Sequence, residues 1–287
     1  MAHRAAARYN GRMSTPQWVL AAASLNDASP EHRAALAREA GLDGFELPFE
    51  ESELVAAADL PAPDVAPDSA RPQAVLPPVA GDHIEKTEPG NCPCLARVWD
   101  WRSGGAVASP PTGALNRILA IGRAAIDIAA RKGVPRIVVE PVRAGWTGNA
   151  TLAAREELLH RLRLALSALR FDAELAGVSL LCRAGPDDLL ADPDATRDFL
   201  DDVCSPWVRG CVDGTGLRRP EEWSDWCGAL GARCGTVRLA DAASVDAALD
   251  ALRVHGCDPV LSFECDKGSL AAAAAAGRRR INPAGTA

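Results

Sequence analysis

Short β-rich runs alternate with helical segments along nearly the whole chain, and this rhythm constrains the fold more than any other feature of the sequence. Val19-Leu20-Ala21-Ala22-Ala23 reads as a first strand. Ser29-Pro30-Glu31 then opens a helix: serine caps it, proline suits its first position, and glutamate complements the positive end of its dipole, with Gly41 as the stop. Gly44 to Phe49 is a second strand and Glu51 to Leu60 a short second helix. Ten prolines from Pro61 to Pro111 interrupt the pattern; within them Leu95-Ala96-Arg97-Val98-Trp99 is a cleaner third strand than Ala74 to Val79, which contains Pro77-Pro78. Leu115, Leu119, Gly122, Ile126 and Ala129-Ala130 then share one helical face, with Gly133 as a stop before the strand Ile137 to Glu140. Leucines at helical spacing from Glu156 to Glu174 lead through Gly177 to Val178 to Cys182. Val208 to Asp213, Thr236 to Leu239 and Val260 to Glu264 follow, preceded by helical stretches ending near Pro206, Gly231 and Gly256.

Eight such units in about 270 residues match an α/β protein of the (β/α)8 TIM-barrel type, whose reactive groups sit at the C-terminal ends of the strands. The expected layout is a flexible leader over 1–15, a single barrel domain over 16–277 and a flexible tail over 278–287. A doubly wound open sheet is the rival, but no glycine-rich phosphate-binding turn follows the first strand.

Composition excludes several partners. Thirty-one Lys and Arg against 38 Asp and Glu give a net charge of −7, with no basic stripe beyond Arg278-Arg279-Arg280, so nucleic acid and anionic membrane surfaces are not expected. The longest apolar run, Leu270 to Ala276, is far below the ~20 residues of a membrane span, and Trp18 to Ala23 is too short for the core of a secretion signal. Nine scattered cysteines read as reduced thiols of a cytoplasmic protein rather than a disulfide framework, with Cys92-Pro93-Cys94 as loop thiols.

The residues that end the strands make a heavily charged set: Glu46, Asp100, Glu140, Cys182 and Arg183, Asp213, Arg238 and Asp241, and Glu264. Unpaired charges inside a barrel cost several kcal/mol each, so these form either a ligand or catalytic site or a self-neutralising ion-pair network. Trp101, Arg143 and Trp146 lie in the loops after the third and fourth strands, where indoles could stack on a ring or a sugar's apolar face, and Lys267 lies three residues past Glu264. Trp223 and Trp226 belong to the shell after the sixth strand. Cys182 reads as a nucleophile or as an inert thiol, with no histidine at a neighbouring strand end to activate it.

The succession Gly44-Phe45-Glu46-Leu47, Ala124 to Gly133 before Ile137-Val138-Val139, Cys211-Val212-Asp213, Val237-Arg238-Leu239-Ala240-Asp241 and Leu261-Ser262-Phe263-Glu264 resembles the sugar phosphate isomerase/epimerase family, the xylose-isomerase-like TIM barrels, over about residues 18–266. The resemblance implies a divalent metal held by Glu, Asp, His and Glu at the ends of strands five to eight. Asp213 and Glu264 match two of these positions. The other two read Cys182-Arg183-Ala184 and Arg238-Leu239, and a guanidinium cannot ligate a metal.

The sequence therefore implies a degenerate site with no metal and no cofactor, in which Arg238 stands as a fixed cation able to polarise a carbonyl or clamp a carboxylate. Glu140, Asp213, Arg238 and Glu264 are the catalytic candidates, with Glu140 or Glu264 as the base that removes a proton next to a carbonyl. Glu46, Asp100, Trp101, Arg143, Trp146, Cys182, Arg183 and Lys267 are the substrate-binding candidates. The expected partner is a small polyhydroxy or carbonyl compound, and a homodimer is left open. The competing class is a non-catalytic barrel that binds a small ligand or a protein.

Overall fold

The computed structural model describes residues 18–20, 30–40, 42–49, 54, 57, 92–98, 111–139, 152–264, 272 and 274–276. Along the chain these form β1 (Trp18–Leu20), α1 (Pro30–Glu39), β2 (Gly44–Phe49), β3 (Cys92–Val98), α2 (Pro111–Arg131), β4 (Arg136–Val139), α3 (Leu152–Ala176), β5 (Ser179–Ala184), α4 (Pro193–Val203), β6 (Val208–Asp213), α5 (Pro220–Leu230), β7 (Cys234–Leu239), α6 (Ala242–His255) and β8 (Val260–Phe263). Each strand pairs in parallel with the next, and β8 pairs back onto β1 to close the barrel. The expected leader and tail lie outside the described residues.

Period-two alternation sorts the strand residues between two apolar clusters. Val139, Cys182 and Val212 join the main core with residues of the surrounding helices. Their chain neighbours Val138, Leu181 and Cys211 make a small separate cluster inside the barrel. Strands buried on both faces read as near-continuous apolar runs, which is why these segments were legible as strands.

Local chemistry sets the element ends. Asp192 caps α4 by accepting from the Ala195 amide at 2.8 Å, with Pro193 in the first turn. Gly133 and Gly177 end α2 and α3 at φ of 66° and 67°, a region a β-carbon disfavours. Asp241, read from sequence as a mouth residue, instead caps α6, accepting from the Ser244 amide at 2.7 Å. Trp223 and Trp226 are buried on α5, as expected of shell residues.

The third strand differs from expectation. It starts at Cys92, so Cys92-Pro93-Cys94 is strand rather than loop. The ladder accommodates it through an irregularity: Phe45 faces Pro93 but Glu46 faces Leu95, leaving Cys94 as an extra residue beside the proline that cannot donate. None of the described helices is long and apolar enough to cross a membrane.

Candidate active site

Strand register brings two of the charged positions and a serine to one level of the barrel. Asp213 on β6 is the lateral partner of Arg238 on β7, and Arg238 is the partner of Ser262 on β8. Glu264 follows β8 directly, and its amide continues the ladder to the Leu239 carbonyl at 2.9 Å. Arg183 lies near the end of β5 on the same inward alternation as Leu181.

Arg238 is fully buried and sits between two carboxylates. Its Nη2 reaches both oxygens of Glu46 at 3.4 Å, across the interior from β7 to β2. Its Nη1 stands 3.6 Å from Glu264 Oε2. Ser262 Oγ donates to Glu46 Oε1 at 2.8 Å, so the buried Glu46 carboxylate is held from two sides. Glu264 is the member that opens toward the mouth, with 26% of its side chain exposed.

A second network lies beside the first. Arg183 donates through Nη2 to Asp213 Oδ2 and through Nε to Asp188 Oδ2, the latter at 3.2 Å. Thr215 donates to Asp213 Oδ1 through its amide at 3.0 Å and its hydroxyl at 2.7 Å. Gly185 permits this junction of the β5 and β6 ends, since a β-carbon there would lie 2.9 Å from the Asp213 carbonyl oxygen. Arg183, Gly185, Asp188, Asp213 and Thr215 border a cavity of about 50 Å³.

Burial by itself would raise the Asp213 carboxyl, but Arg183, then Arg238, and the two Thr215 hydrogen bonds outweigh it and hold the group below its ordinary value of 3.8. A carboxyl whose folded value is depressed contributes stability that is complete above its ordinary value and lost as pH falls through the lower folded one. Melting curves of the wild type and Asp213→Asn are therefore expected to differ at neutral pH and to converge in acid, below about pH 4. A constant separation down to pH 2 would contradict this assignment.

Of the sequence candidates, the fold brings Glu46, Arg183, Asp213, Arg238 and Glu264 together. Glu140, Asp100, Trp101, Arg143, Trp146 and Lys267 lie outside the described residues. Cys182 is a correction: it cannot share a face with Arg183, and its side chain packs in the main core between sheet and helices. Burial, and then the neighbouring Cys211, push its thiol up to about 12, so it stays protonated.

Sequence reasoning missed Ser262, Asp188 and Thr215. Ser262 was accessible by alternation, two positions before Glu264 on the inward face. Asp188 carried no signal, since only the loop after β5 turns it back onto Arg183.

The divalent metal implied by the resemblance does not fit the four corresponding positions. Cys182 points away, Arg183 and Arg238 are donors only, and both Asp213 oxygens are already engaged by Arg183 and Thr215. Among the described residues no three His, Cys, Asp or Glu side chains converge closely enough to hold a metal ion.

No protein-family model matches the chain, and no curated protein matches it. Solved structures do. An L-ribulose 3-epimerase superposes with a TM-score of 0.62 at 16% identity, covering 93% of this chain and 94% of that one. A D-psicose 3-epimerase crystallised in the presence of D-fructose gives 0.62 at 10% identity, covering 92% and 98%. The IolI protein with a bound zinc atom gives 0.61 at 14% identity, covering 93% and 97%.

Proposed function

We propose that this chain, which has the fold of the xylose isomerase-like TIM barrels, is a metal-independent enzyme of the isomerase, epimerase or dehydratase type that removes a proton next to the carbonyl of a small polyhydroxy compound. The observation supporting it is the loose contact of Arg238 with Glu264. Nη1 and Oε2 are 3.6 Å apart, and that buried oxygen accepts no hydrogen bond. A charge-assisted bond closes to about 2.7–2.9 Å, so the Glu264 oxygen, beside a fixed guanidinium, retains capacity to take a proton.

In this reading the substrate carbonyl accepts from Arg238 Nη1 while Glu264 takes the adjacent proton. The bonding electrons move into the carbonyl, and the guanidinium, always charged, stabilises the developing enolate. Returning the proton to the other face epimerises the substrate; returning it to the former carbonyl carbon, with the α-hydroxyl proton passing to the enolate oxygen, isomerises it; and expelling a β-hydroxyl as water, with the proton held by Glu264, dehydrates it. Among the described residues two guanidiniums stand against the carboxylates of Glu46, Asp188, Asp213 and Glu264, a balance that favours an uncharged substrate over an anion.

The test is proton exchange in D2O, followed by NMR, across a panel of ketoses and inososes. Wild type is expected to incorporate deuterium next to the carbonyl of at least one of them, with the rate unaffected by EDTA. Glu264→Gln is expected to slow exchange about 100-fold or more with the fold intact. Loss of exchange with EDTA would overturn the metal-independent mechanism.

The non-catalytic reading draws on a different observation. Arg238 is fully buried, Arg183 and Asp213 are only 11% and 5% exposed, and the described cavity between them is about 50 Å³. Native mass spectrometry showing a retained small molecule, with no deuterium exchange on any panel member, would select it.

A further inference from the structure

Helix α3 carries an apolar stripe on its solvent side. Leu164 is 44% exposed, Phe171 58% and Leu175 88%; among the described residues Val254 is the other large apolar side chain so exposed. At 100° per residue, Leu164, Ala168, Phe171 and Leu175 fall within about 60° of the helix circumference. The opposite face of α3 already packs in the core through Leu162, Ala165, Leu166, Leu169 and Ala173. The outer stripe lies outside the apolar core, with the Arg170 guanidinium 4.7 Å from the centre of the Phe171 ring, and exposed apolar side chains grouped on one helix face mark a candidate contact surface.

The geometry points to a homodimer in which α3 packs antiparallel against α3 of a second copy, about a two-fold axis near Ala168. The two-fold sets Leu164 of each chain against Phe171 of the other, and the small Ala168 at the centre lets the helices approach closely.

Charge agrees with the same pairing. Arg161 and Asp172 lie on one flank of the stripe, toward its opposite ends, and in an antiparallel pair like flanks meet, so Arg161 of each copy faces Asp172 of the other. Within the chain Arg161, its side chain 20% exposed, pairs with Glu157 at 2.6 Å, and Asp172, 38% exposed, pairs with Arg123 at 3.0 Å, so a cross-pair would extend two existing surface ion pairs. A two-fold axis makes the cross-pair twice.

Sedimentation of the full chain between about 1 and 100 µM is expected to show a reversible dimer. Phe171→Glu should raise the dissociation constant about 100-fold or more, leaving a monomer with a nearly unchanged melting curve, because the ring lies outside the apolar core and the new carboxylate can still pair with the Arg170 guanidinium that lies over it. Arg161→Glu and Asp172→Arg should each weaken the dimer about fivefold, and the double variant should restore it to within about twofold of wild type. Compensation of this kind requires the two residues to meet across copies and reads out independently of folding. A wild type that stays monomeric throughout the range overturns the inference, whether the stripe is covered by another part of this chain or by nothing. So does a double variant no tighter than the singles.

Discussion

Arg238→Met is expected to destabilise the protein by about 3–5 kcal/mol, the cost of removing one partner from a buried charge pair. The substitution keeps an apolar stem of similar length, so little of the loss comes from a cavity. What remains is Glu46, fully buried and deprived of the guanidinium that faced both its oxygens at 3.4 Å, with the Ser262 hydroxyl still bound. Pairing Arg238→Met with Glu46→Gln should recover most of the stability, because replacing both charges removes the uncompensated one. Denaturant titrations of the two single variants and the double close the cycle. Single variants as stable as wild type would show that the pair is not a desolvated charge contact. The double variant also separates two roles: if it folds well yet exchanges no substrate proton, Arg238 acts on the substrate as well as on Glu46.

Gly214→Ala should be nearly as damaging, at about 3 kcal/mol, through overpacking. A β-carbon on Gly214 would lie 1.9 Å from Trp223 Cη2 and 2.5 Å from both Trp223 Cζ2 and the Arg238 carbonyl oxygen. Trp223 is buried on α5 and cannot swing out without opening the core, and the carbonyl belongs to β7. Relief therefore requires the end of β6 to move, carrying Asp213 away from Arg183 and Thr215. Thermal melts and exchange rates should fall together. Trp223→Phe in the same background should restore part of the loss, since it removes the indole contact but not the carbonyl contact. A Gly214→Ala protein melting within about 1 °C of wild type would contradict the close packing of β6 on α5.

Much of the fold was legible because it rests on local patterns. β2 and β6 fall on the expected residues, and Gly133, expected to stop α2, does so in a left-handed conformation. The third strand was only partly legible: Pro93 argues locally against a strand, and only the irregular pairing with β2 makes room for it. Asp241 and Cys182 were misassigned for different reasons. Proximity to a strand end does not say whether an aspartate faces the mouth or caps the next helix. Two consecutive residues, Cys182 and Arg183, cannot both face inward, and only the packing of the main core fixes which one does.

The sequence alone determined the succession of strands and the positions of Asp213, Arg238 and Glu264 at the ends of the last three, because periodicity and order are properties of neighbouring residues. Tertiary structure decided which charge neutralises which. Glu46 and Arg238 are separated by 192 positions and meet only when the sheet closes on itself. Asp188 reaches Arg183 only through the turn after β5, and Ser262 faces Glu46 only because β8 returns beside β1. Ion pairing depends on distance in space, and in a closed barrel that distance is set by strand register and closure rather than by separation along the chain.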